Sequence, residues 1–85
     1  MKVVAKFSQN AVHHGVPSYM FIIAISPPLP VGETTYGISI ADIGQTETEI
    51  LAQMQALAVE TANAKLVAIG WPGDLNITDI RGGTL

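Results

Sequence analysis

The sequence predicts a single small α+β domain over residues 1–85, of order β-β-β-α-β(β), with one amphipathic helix packed on a mainly antiparallel sheet. Three observations carry this. Runs of apolar and polar alternation precede one run at helical spacing, a capping signature marks the change from one period to the other, and turn residues separate the runs. No internal repeat, low-complexity tract or long linker divides the chain.

The first run, residues 2–8, sets Val3, Ala5 and Phe7 on one side and Lys2 and Lys6 on the other, with Val4 the exception. That is a half-buried strand. Residues 9–17 mix polar residues with Gly15 and Pro17, and read as a connection or wide hairpin loop with His13 and His14 near its tip.

Residues 18–26 place Tyr19, Phe21, Ile23 and Ile25 on one face and Met20, Ile22 and Ala24 on the other. Both faces are apolar. Such a strand belongs in the middle of a sheet with both sides covered. Pro27, Pro28 and Pro30 then remove amide donors, so residues 27–32 form a stiff loop.

Alternation returns at Thr35, with Tyr36, Ile38 and Ile40 on a bulky face and Thr35, Gly37, Ser39 and Ala41 on a small one. Gly44 ends this third strand. Thr46 and Glu49 have the spacing of a capping box, in which hydroxyl and carboxylate satisfy each other's free amides.

Ile50, Leu51, Met54, Leu57, Ala58 and Thr61 follow at helical spacing. The expected end lies near Asn63 and Ala64, Asn63 taking a left-handed cap and Lys65 sitting at the negative end of the dipole. Residues 65–71 read as a fourth strand, Pro72 and Gly73 as the centre of a type II turn, and residues 75–80 as a short fifth strand. Gly82 and Gly83 loosen the tail.

Composition narrows the function. Charged residues make up 13% of the chain, about half the share of an ordinary soluble domain, and the net charge is −3. A chain without a basic footprint is a poor nucleic-acid binder. The longest apolar run, residues 19–25, is far short of the ~18 residues that cross a bilayer as a helix, so no membrane partner is expected. The N-terminus reads as mature protein rather than a signal peptide. Absence of cysteine excludes disulfides and leans toward a cytoplasmic or virion-associated protein.

One helix cannot cover a four- or five-stranded sheet on both sides, because the sheet is roughly 20 Å wide and the helix about 10–12 Å across. An apolar second face therefore predicts a homo-oligomer, with docking on a larger protein assembly as an extension. Met20, Ile22, Ala24 and Leu66 are the expected interface residues. The competing account is that the proline-rich loop folds over that face.

No catalytic constellation is legible, and no cofactor or metal is expected. His13 and His14 are adjacent, so a shared metal needs a turn there and a further ligand such as Glu33 or Asp42, which the spacing does not supply. Ser39 lies inside an alternating strand, not at the strand-to-helix turn of a nucleophile elbow. Asn76 and Thr78 match a glycosylation sequon, read as chance. Trp71 beside a rigid turn is either a core plug or a ligand platform. The leading expectation is a non-enzymatic structural or interaction subunit with the texture of a small viral or phage accessory protein. The alternative is a small-molecule-binding module whose pocket between subunits is lined by Trp71, Tyr19, Tyr36 and Arg81.

Overall fold

The computed structural model describes residues 1–32, 34–71, 80–82 and 85, with residues 80–82 described by their backbone alone. Strands β1 (Lys2–His13), β2 (Val16–Ser26) and β3 (Thr35–Ala41) precede helix α1 (Glu47–Ala68) and strand β4 (Ile80–Gly82). The sheet order is β3-β2-β1-β4. β1–β2 and β2–β3 are antiparallel, whereas β4 runs parallel to β1, as a strand returning through a helical crossover must. The fold is α+β.

Alternation on β2 decides the layers. Phe21, Ile23 and Ile25 face α1 and join Val3, Ala5, Tyr36, Ile38 and Ile40 in one core with Ile50, Met54, Ala58, Ala62 and Leu66 of the helix. The five helical residues recur every fourth position. At 3.6 residues per turn that stripe drifts about 40° per step, so it winds around α1 instead of running straight.

The helix begins where its cap predicts. Thr46 Oγ1 accepts from the Glu49 amide at 3.2 Å, and Glu49 Oε1 accepts from the Thr46 amide at 3.2 Å. Its end differs from expectation. Asn63 lies mid-helix, and residues 65–68, expected as part of a fourth strand, continue α1 because Leu66 extends the buried stripe. Termination comes at Gly70, with φ of 67°. The Gly70 amide donates to Val67 O at 3.1 Å and the Trp71 amide to Leu66 O at 3.0 Å, the paired bonds of a Schellman motif.

The first connection also differs. β1 does not stop at Ser8 but continues to His13 past a bulge, since Phe7 pairs with Phe21 and Gln9 with Met20. His14 and Gly15, with φ of 51° and 79°, close a two-residue hairpin turn of the mirror-image kind that twisted strands prefer. Pro72, Gly73 and residues 75–79 of the expected turn and fifth strand lie outside the described residues, as do Glu33, the sequon and Gly83; Gly82 belongs to β4. No helix among the described residues is long and apolar enough to cross a membrane.

Candidate functional site

The face of the sheet away from α1 is built from three rows of paired residues. Val4 pairs with Ala24 and Ala24 with Thr35; Lys6 pairs with Ile22 and Ile22 with Gly37; Gln9 pairs with Met20 and Met20 with Ser39. Ile22 stands at the centre and is 46% exposed. Val4, Met20 and Ala24 are half-buried around it by their neighbours on the strands. The margins differ: Lys2 and Lys6 lie on the β1 side, whereas β3 contributes only the small residues Thr35, Gly37, Ser39 and Ala41. The result is an apolar strip with a cationic border and a low floor.

The proline-rich loop does not cover this strip. Leu29 is buried in the core on the helix side, its amide donating to Thr34 Oγ1 at 3.0 Å. Val31 and Gly32 lie against Lys65, Ala68 and Ile69 around a depression of about 190 Å³. The loop thus closes the end of the helix layer.

Of the expected interface residues, Met20, Ile22 and Ala24 lie on the bare face. Leu66 does not, because it belongs to α1 and is completely buried in the core. A feature that sequence reasoning missed adjoins the strip. β3 pairs with β2 only from Ser18 to Ala24, so residues 12–17 project beyond it as a two-stranded arm. Val12 on that arm is 70% exposed, and Val16 is also exposed. Two-stranded ribbons are marginal by themselves. At the tip the rings of His13 and His14 meet edge to face, 4.1 Å between centroids. Among the described residues no group of three metal-ligating side chains forms.

The proposed ligand residues are dispersed. Tyr36 is sealed under α1, where its hydroxyl donates to Ala58 O at 2.8 Å and its ring lies 4.9 Å from Lys65 Nζ. Burial pushes its pKa up to about 12. Tyr19 sits at the other end of β3, opposite Ile40, and leans on Phe7. Trp71 packs half-buried against the core just past the helix cap. The backbone of Arg81 pairs with Val4 on β1, and its side chain lies outside the described residues. Two further depressions, each of about 290 Å³, are lined by none of these four. Ligand pockets commonly measure about 300–1,000 Å³.

No protein-family model matches this chain, and neither a curated protein nor a solved structure is similar to it.

Proposed function

We propose that this protein is a non-enzymatic structural or interaction subunit that associates with copies of itself through the bare face of its sheet. One observation carries the reading: Ile22 is exposed at the middle of a central strand, ringed by Val4, Met20 and Ala24. A polar side chain there would suit water, and β-branched isoleucine instead suits a packed surface. The small residues of β3 support it, since they leave room for a partner's side chains beside the strip. The projecting arm supports it as well, because a ribbon with exposed Val12 and Val16 gains stability only against something else. Docking of the oligomer on a larger assembly, in a cytoplasmic or virion-associated setting, extends the same reading from the cysteine-free, weakly charged composition.

Native mass spectrometry of the parent and of Ile22→Glu tests it. The expected result is an oligomeric parent and a folded variant of smaller mass. A monomeric parent, or a variant that keeps the parent's mass, overturns the assignment of this face.

A further inference from the structure

Among the described residues one edge of the sheet, β4, spans Ile80–Gly82. The other, β3, runs Thr35–Ala41 with no charge, no proline and no bulge in its pairing with β2. Among the described residues none of the usual protections is present along Thr35–Ser39.

Its hydrogen-bonding groups can be assigned one by one. The Ile25 amide donates to Thr34 O at 2.9 Å and the Asp42 amide to Pro17 O at 2.8 Å, at opposite ends of the β2–β3 register. Bonded pairs alternate along an antiparallel ladder, so Tyr36, Ile38 and Ile40 bond to β2. Thr35, Gly37, Ser39 and Ala41 therefore aim their amides and carbonyls away from the sheet. The outermost is already occupied: Gln45 Nε2 donates to Ala41 O at 2.8 Å while Gln45 Oε1 accepts from the Ile43 amide at 2.8 Å. Thr35, Gly37 and Ser39 keep both groups without a partner among the described residues.

Those three residues are symmetric about Gly37, so the edge can pair with a copy of itself about a two-fold axis. We infer that β3 pairs antiparallel with β3 of a second copy, Gly37 opposite Gly37, joining two sheets into one across a two-fold axis. Thr35 then meets the partner's Ser39, and all six free groups of each edge are satisfied without disturbing Gln45. On the helix side Tyr36 lies opposite Ile38 of the other copy, so apolar meets apolar. No like charges are brought together. Any strand carries backbone groups at this spacing, but a second β3 also matches in its side chains, with the small residues Thr35, Gly37 and Ser39 opposite one another on one face and Tyr36 opposite Ile38 on the other. The isologous form also closes at two copies and does not propagate.

This inference rests on the reading that the chain self-associates, but it uses a different surface, and the two are separable. Because the chain has no cysteine, single-cysteine variants report one distance each. In the edge dimer the Gly37 Cα atoms are about 5.5 Å apart, within the ~4.4–6.8 Å span of a disulfide. Ile22 pairs with Gly37, so the two Ile22 positions are three strand steps apart, roughly 14 Å, and out of reach. A side chain at Gly37 is accommodated by the subunit, its Cβ meeting only Phe21 O at 3.8 Å.

Gly37→Cys and Ile22→Cys are oxidised mildly, or treated with a short thiol-to-thiol reagent, and resolved on non-reducing gels beside light scattering of the parent. The expected result is a covalent dimer as the main species for Gly37→Cys, with Gly37→Lys lowering the oligomer mass because two ammonium groups face each other. An oligomeric parent in which Gly37→Cys stays monomeric on the gel overturns the edge pairing and leaves self-association standing. A monomeric parent overturns both. Crosslinking at Gly37 with Ile22→Glu unchanged in mass keeps the edge and removes the face.

Discussion

The Tyr36 hydroxyl donates to the Ala58 carbonyl oxygen across 2.8 Å, tying the edge strand to the middle of the helix through a buried bond. Ala58 and Ala62 are small, and both are completely buried. Their size lets the phenol reach the helix backbone. Tyr36 thereby fixes α1 over β3.

Replacing Tyr36 with Phe removes this bond while leaving the ring in place. Ala58 O keeps its place in the helical ladder, so the carbonyl is not orphaned. The loss is about 1 kcal/mol, a typical net hydrogen bond. For a domain of this size it lowers the thermal midpoint by about 4–8 °C. A midpoint equal to the parent's means that water replaces the bond fully.

The same phenol makes stability depend on alkaline pH. Its pKa stands at about 12 when folded because burial disfavours the phenolate, against about 10 in the unfolded chain. Between these values the unfolded chain has lost the proton and the folded one keeps it, so unfolding becomes easier as pH rises. This contribution is complete below pH about 10 and is lost as pH rises toward about 12. Denaturant titrations from about pH 9 to about pH 12, which span the phenol's titration, should show a steeper decline for the parent than for Tyr36→Phe. Parallel curves count against the burial of the hydroxyl.

At the helix start, Thr46→Ala removes the hydroxyl that accepts from the Glu49 amide, leaving the backbone half of the capping box in place, and should cost about 1 kcal/mol. Thr46→Ser, which keeps the hydroxyl, should recover most of it. The check is chemical denaturation of the two variants with the parent; equal losses in both mean the cap is not the source.

The three strands, the cap and the opposed faces of β2 were legible in the sequence because each depends on local spacing. Leu66 was not, since residues 65–69 satisfy a strand's alternation as readily as a helix's. What decides between them is tertiary: Leu66 completes the stripe begun at Ile50, and Gly70 stops the helix about two turns later than Asn63 suggests. The arm was hidden for a different reason. A bulge at Ser8 shifts the alternation, and an uncovered ribbon has no apolar face to keep in register. Of the candidate surface, Met20, Ile22 and Ala24 followed from alternation alone, whereas the unsatisfied edge at Thr35, Gly37 and Ser39 depends on strand order, which spacing does not contain.

Neighbouring residues of β2 provide the sharpest contrast in stability. Phe21 is 1% exposed and Ile23 is completely buried, while Ile22 between them is open to solvent in the single subunit. Glutamate at Phe21 or Ile23 places an unpaired carboxylate among Val3, Ile38 and Met54. Its desolvation costs several kcal/mol even after relaxation, and the lost packing adds to it. A domain of this length has about 4–13 kcal/mol of total stability, so either change should abolish the folded state or leave it marginal. Glutamate at Ile22 remains hydrated, with Lys6 paired directly opposite on β1. Its effect on the isolated subunit should stay within about 1 kcal/mol, the range of exposed substitutions and surface ion pairs. Circular dichroism melts at low protein concentration, where association contributes least, should therefore give a cooperative transition for Ile22→Glu and none for Phe21→Glu or Ile23→Glu. If Ile22→Glu also loses its transition at low concentration, the bare face is needed for the fold of the subunit itself, and the subunit has no stable existence apart from its partner.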